Sequence, residues 1–269
     1  MNFPLAVPAF SDNYIWLVAA GGSEQSVRNE AEIAVIIIDP GAAEPVLESL
    51  ARHRLRPCAI LVTHHHYDHI DGIPPLLRHY PSLPVYGPAE SAVPGLGHPL
   101  HDNDEITLDN GLTFQVLTSP GHTLDHLSYY RPGMLFCGDT LFAAGCGRLF
   151  EGSPEQMYRS LTRLASLPDD TAIFCTHEYT LNNLEFAHHI EPENKHVFDR
   201  LEHVRRQRAR GRITLPSTLA EERLSNPYLR CTEAAIMTAA SRFAQRPVRD
   251  AVDTFRIIRF WKDGWTNSA

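Results

Sequence analysis

The apolar run Cys58-Ala59-Ile60-Leu61-Val62 passes without a spacer into Thr63-His64-His65-His66-Tyr67-Asp68-His69. This junction constrains the fold more than any other segment. A run of five apolar residues is a buried strand, and the strand must deliver H-x-H-x-D-H at its end. Alternate residues of an extended segment point the same way, so His64 and His66 converge while His65 faces away. Asp68 and His69 follow as the chain turns and serve a neighbouring point. Imidazoles and a carboxylate without thiolate suit a catalytic zinc, iron or manganese better than a structural zinc finger.

The flanking sequence alternates short apolar strands with turns. Tyr14–Val18 and Val35–Ile38 read as strands, the latter closing at Asp39-Pro40-Gly41. Residues 44–53 read as a helix. Further strands are expected at 85–86, 106–108, 112–117, 127–130, 134–137 and 172–175. Ser153-Pro154-Glu155-Gln156 opens a helix with a cap, a first-turn proline and a capping-box glutamine. After Glu178 the texture becomes helical, over 181–190, 194–210, 218–224, 232–243 and 248–261. The expected division is a domain of residues 1–178 and a helical one of 179–269.

A net charge of −8 argues against a general nucleic-acid or anionic-membrane binder. It also means that an anionic small substrate needs cations supplied locally. The cysteines at 58, 137, 146, 175 and 231 are odd in number and widely spaced, which suits reduced thiols in a cytoplasmic protein. The longest apolar run, 33–38, is strand-sized, so no membrane span is expected. The chain is read as a monomer.

With the histidine segment on the page, the chain resembles the metallo-β-lactamase superfamily, whose signature is T-H-x-H-x-D-H. Ser119-Pro120-Gly121-His122-Thr123, Phe136-Cys137-Gly138-Asp139-Thr140 and Cys175-Thr176-His177-Glu178 resemble its later elements, in order and each after an apolar run. The resemblance implies an α/β fold: an αββα metallo-β-lactamase sandwich, here with a C-terminal helical domain. By position it implies that His64, His66 and His122 hold one metal, that Asp68, His69 and His177 hold the other, and that Asp139 bridges both. It also implies two divalent ions, zinc first, with iron or manganese accepted by the same ligands. His65, His79, His98, His101, His126, His188 and His189 are left as non-ligands, with His126 a candidate to orient a ligand from behind.

Other segments resemble one branch, glyoxalase II, the hydroxyacylglutathione hydrolases: Asp12-Asn13-Tyr14, the loop Gly145-Cys146-Gly147-Arg148-Leu149-Phe150-Glu151-Gly152, His177-Glu178-Tyr179-Thr180, Asn226-Pro227-Tyr228-Leu229-Arg230 and Arg259-Phe260-Trp261-Lys262-Asp263. This implies hydrolysis of S-D-lactoylglutathione to glutathione and D-lactate, the second step of methylglyoxal detoxification. The nucleophile is a metal-bound hydroxide, with Asp68 and Asp139 at the catalytic centre. Arg148, Tyr179, Arg259 and Lys262 would bind glutathione, which carries about one net negative charge at neutral pH. A persulfide dioxygenase or another hydrolase of the same fold is the alternative. Two positions depart from the family pattern. Phe150 replaces a frequent tyrosine, removing a hydrogen bond of roughly 0.5–1.5 kcal/mol, and Asp125 replaces a usual glycine.

Overall fold

The structure is a computed structural model that describes residues 3–19 and 32–266. The chain divides into two compact units, Met1–Thr118 with Asp125–Arg131, and Ser119–Leu124 with Pro132–Ala269. The sequence boundary at 178–179 lies inside the second unit.

The first unit holds strands β1 (Leu5–Ala9), β2 (Asn13–Ala19) and β3 (Ile33–Ile38), helix α1 (Ala43–His53), strand β4 (Leu55–Leu61), helices α2 (Tyr67–Ile70) and α3 (Ile73–His79), and strands β5 (Val85–Pro88), β6 (His98–Leu100), β7 (Glu105–Thr107), β8 (Thr113–Thr118) and β9 (Leu127–Arg131). One sheet runs β1-β2-β3-β4-β5-β6. Pairing is antiparallel from β1 to β3 and parallel from β3 to β6. The parallel part explains why β3 and β4 are apolar throughout: Val35, Ile36, Ile37, Ala59, Ile60 and Leu61 are at most 1% exposed, as strands covered on both faces must be. Helix α1 makes the crossover and buries Val46 and Leu50. The β1 strand was not expected from sequence, since Pro8 interrupts it. Here β1 is an edge strand, where a missing N–H costs no ladder bond.

The second unit holds strands β10 (Met134–Gly138), β11 (Leu141–Phe142) and β12 (Gly145–Cys146), helix α4 (Pro154–Ala165), strand β13 (Ala172–Cys175), helices α5 (Thr180–Ile190) and α6 (Lys195–Arg208), strand β14 (Ser217–Thr218), and helices α7 (Leu219–Ser225), α8 (Ala234–Ala244) and α9 (Ala251–Gly264). β10 and β13 pair in parallel, β14 joins β13 antiparallel, and β11 and β12 form a hairpin. The capping box expected at Ser153 is present, with both reciprocal bonds to Gln156. Helices α5 and α6 pack through Leu184, Ala187, Val197, Leu201 and Val204. Arg205, Arg206 and Arg208 close the last turn of α6, where positive charge complements the helix dipole.

Candidate metal centre

In the first unit the parallel strands β3 and β4 end side by side, and their carboxyl ends carry the chemistry, as open parallel sheets tend to do. His64, buried, has its ring centroid 4.6 Å from that of His66 and 4.1 Å from that of His69. His69 Nε2 lies 3.7 Å from Asp68 Oδ2. The four ligands expected from H-x-H-x-D-H are therefore gathered at the end of β4. His65 turns the other way, as alternation requires, and its Nδ1 meets Asp125 Oδ2 at 2.9 Å. The aspartate at the usual glycine position thus has a use, and its backbone is not in the left-handed region that would demand glycine. His126, fully buried, stacks on His64 at 4.8 Å.

The residue that sequence reasoning missed here is Asp39. It was read only as a strand-end turn. Its side chain is 1% exposed and its backbone is left-handed, with φ of 53°. Its Oδ1 and Oδ2 accept from the backbone N–H and the hydroxyl of Thr63, and Oδ2 also lies 3.1 Å from His69 Nδ1. A carboxylate beside Nδ1 favours a proton there and orients the ring, as residues behind metal ligands do. The signal was an acidic residue at the carboxyl end of the strand beside the histidine strand. Asn13, in the D-N-Y motif, donates from Nδ2 to Asp68 Oδ2 at 2.9 Å and fixes that carboxylate likewise. Gly41 is required by packing, because a Cβ there would collide with the Asp68 carbonyl. We expect Asp39→Ala to weaken metal binding about 10- to 100-fold, measured by competition with a chromophoric chelator; wild-type affinity would remove Asp39 from this role.

In the second unit two imidazoles meet on one carboxylate. His122 Nε2 and His177 Nε2 each lie 3.4 Å from Asp139 Oδ2, and all three residues are buried. Asp139 Oδ1 accepts from Thr176 Oγ1 at 2.6 Å. His122 Nδ1 lies 2.9 Å from the Arg148 carbonyl. A carbonyl can only accept, so Nδ1 carries the proton. Nε2 faces a carboxylate oxygen, and a neutral imidazole there would share a cation with it. The donor set, its tautomer and its burial therefore fit a divalent metal.

The expected glutathione residues all lie in the second unit. Tyr179, 38% exposed, stacks on His177 at 4.7 Å. Arg148 is exposed, with Nε 3.6 Å from Asp263 Oδ1. Arg259 is buried: it donates to the Cys146 carbonyl at 2.9 Å and to Asp263 Oδ1 at 3.0 Å, and lies over the Tyr228 ring at 5.3 Å. Lys262 donates to the carbonyl and side-chain oxygens of Asn182 and sits over Trp265 at 4.4 Å. Burial, with Arg259 beside it, lowers the Lys262 ammonium to about 7. Asp263 links Arg148 to Arg259, so two of these residues share one acidic partner on α9. Phe150 is exposed and its ring meets His122 edge-on at 5.2 Å.

All five cysteines are buried, and burial pushes Cys146 up to about 11 and Cys175 up to about 12, which disfavours the nucleophilic thiolate.

Two family models match the chain: metallo-beta-lactamase superfamily over residues 30–177, and hydroxyacylglutathione hydrolase C-terminus over residues 178–265. A hydroxyacylglutathione hydrolase of Aeromonas hydrophila is 48% identical over 260 residues, covering 96% of this chain and 98% of its own. Among solved structures, ETHE1 from Myxococcus xanthus is 25% identical with a TM-score of 0.63, covering 96% of this chain and 88% of that one. TTHA1623 in a di-iron-bound form is 26% identical with a TM-score of 0.57, covering 85% of this chain and 100% of that one.

Proposed function

This chain belongs to the hydroxyacylglutathione hydrolases, the glyoxalase II family of the metallo-β-lactamase superfamily, and from that premise we propose how its residues carry the reaction. The activity is hydrolysis of an S-(2-hydroxyacyl)glutathione thioester by a mixed α/β enzyme with a metallo-β-lactamase domain and a C-terminal helical region. The family and the His/Asp clusters of each unit suggest a dinuclear metal site. In our reading His64, His66 and His122 would hold one ion, Asp68, His69 and His177 would hold the other, and Asp139 would serve both. The ions are zinc, with iron or manganese as the other candidates, and the acyl group is D-lactoyl. The enzyme acts as a cytoplasmic monomer on this small substrate, without nucleic acid or membrane as partner. Five buried, widely spaced cysteines support a reducing compartment. Among the described residues no helix is long and apolar enough to cross a membrane.

The observation that carries the reading is the meeting of His122 and His177 on Asp139, with the His122 tautomer set by the Arg148 carbonyl. Two divalent cations supply Lewis acidity, lowering the pKa of water toward neutrality and stabilising a developing oxyanion. Asp39, Thr176 and the Arg148 carbonyl hold the ligands in the productive tautomer and orientation, so little reorganisation is needed. The departing glutathione thiolate is a good leaving group, and no side-chain acid is required for it. Arg148, Tyr179, Lys262 and Arg259 form the glutathione site, the exposed residues meeting the tripeptide and Arg259 backing them through Cys146 and Asp263. The two family matches, which meet at 177 and 178, support a division at 178–179, with Arg148 contributed to the recognition surface from before it. A persulfide dioxygenase is not favoured, because the hydrolase C-terminus covers 178–265.

The test is hydrolysis of S-D-lactoylglutathione by purified protein before and after chelation, with metal analysis on the same sample. We expect activity to fall at least about a thousandfold on stripping, some 4 kcal/mol of barrier, and to return with metal. A metal-free sample that stays fully active would refute the mechanism.

A further inference from the structure

The N-P-Y-L-R segment matches a family pattern, but its chemistry is not evident from sequence. In the structure its first residue, Asn226, is fully buried and its Nδ2 donates to the carbonyls of Phe142, at 3.2 Å, and Gly145, at 2.9 Å. Both acceptors belong to the β11–β12 hairpin. Glu222, also fully buried, accepts from the Ala144 N–H at that hairpin's turn at 2.7 Å, and from Asn226 Nδ2 at 2.9 Å, both through Oε2. Its other oxygen takes Arg200 Nη2 at 2.7 Å and Ser217 Oγ at 2.5 Å. From α5, Asn183 Nδ2 donates to the Ala143 carbonyl at 3.0 Å. Four consecutive residues, 142–145, thus have a backbone group held by a side chain from α5, α7 or the residue after α7.

The hairpin needs holding. Ala144 has φ of 55°, a left-handed conformation that alanine avoids. The segment also joins the parts of the metal half-site. Two residues before it stands Asp139-Thr140, and two after its end stands Arg148, whose carbonyl fixes His122. The Gly147 N–H donates to the Thr140 carbonyl at 3.2 Å, and a Cβ on Gly147 would collide with the Asp139 carbonyl and press on the His122 ring. A shift of the hairpin therefore moves the Asp139 backbone and the His122 partner together.

We propose that Glu222, with Asn226 and Asn183, is a positioning residue for the metal site: the helical region sets the 141–148 segment and through it the Asp139–His122 geometry. This rests on the reading that Asp139, His122 and His177 bind metal. The burial and complete hydrogen bonding of the Glu222 carboxylate are in excess of what helix packing needs, and two of its four partners serve the hairpin or the amide that holds it.

The experiment compares zinc affinity, by chelator competition, in the full-length wild type, Glu222→Gln, Asn183→Ser and Ser225→Ala, each checked for folding by circular dichroism. Ser225→Ala is the control: it deletes the 2.6 Å bond to Arg200 and leaves the hairpin bonds intact. We expect Glu222→Gln to bind zinc about 10- to 100-fold more weakly, the range for residues that orient ligands. Asn183→Ser, which removes a single bond, should move the same way by less. Ser225→Ala should lower thermal stability with zinc affinity unchanged. Wild-type affinity in a folded Glu222→Gln would overturn the proposal, as would equal weakening in Ser225→Ala. Should Glu222→Gln fail to fold, Asn183→Ser decides the matter by the same comparison. A wild type without zinc affinity would overturn the metal reading itself, a result distinct from either.

Discussion

Asp139→Asn should lower kcat/KM for the thioester by at least about a thousandfold, roughly 4 kcal/mol of transition-state stabilisation, with loss of bound metal. The substitution is isosteric, so the fold should survive and the effect should be chemical. Asp139 Oδ2 is the point that His122 and His177 share, each with Nε2 at 3.4 Å. An amide oxygen there is neutral and less basic, so the anionic partner of two ligand nitrogens disappears. Thr176→Ala, which deletes only the 2.6 Å bond to Oδ1, should cost less, about 10- to 100-fold. Steady-state kinetics with metal analysis on the same preparations decides this. Asp139→Asn within tenfold of wild type would mean that the carboxylate does not hold metal.

Arg200→Met should destabilise the protein by about 3–5 kcal/mol, a fall in Tm of roughly 6–20 °C at 2–4 °C per kcal/mol for a chain of this size. The pair it breaks is buried: Arg200 and Glu222 side chains are 6% and 0% exposed, 2.7 Å apart. Removing one partner leaves a carboxylate inside the protein without its cation, and this desolvation dominates the cost. The same helix carries a contrast. Lys195 and Asp199 are 2.6 Å apart but 82% and 58% exposed, and water screens them. Lys195→Met should change stability by less than about 0.5 kcal/mol. Calorimetry on both variants reads the difference directly, and equal effects would show that burial does not govern these pairs.

Deleting residues after Thr180 is not a clean test of substrate binding. That deletion also removes Asn183, Glu222 and Asn226 from the 142–145 backbone and β14 from β13. The point substitutions above separate chemistry from folding where truncation does not.

Much of this protein was legible in order along the chain. The apolar β3 and β4 strands, the capping box at Ser153 and the H-x-H-x-D-H segment are local patterns, and local patterns follow from dihedral preference and side-chain period. The candidate ligand residues were readable because each sits at the end of an apolar run. Glu222 and Asn183 were not, since nothing in their neighbouring residues marks them, and Asn226 and Asp39 were visible in motifs that did not show what they hold. Glu222 reads as a helix-surface acid in Leu219-Ala220-Glu221-Glu222-Arg223, and Asp39 reads as a turn. Their work is done on groups far along the chain, at separations of 78 residues from Glu222 to Ala144 and 24 from Asp39 to Thr63. The sequence by itself determined which atoms can ligate. Only the tertiary structure decided which histidine nitrogen meets which partner and what holds the candidate ligands in place, because hydrogen bonds between distant segments exist only once the chain has folded.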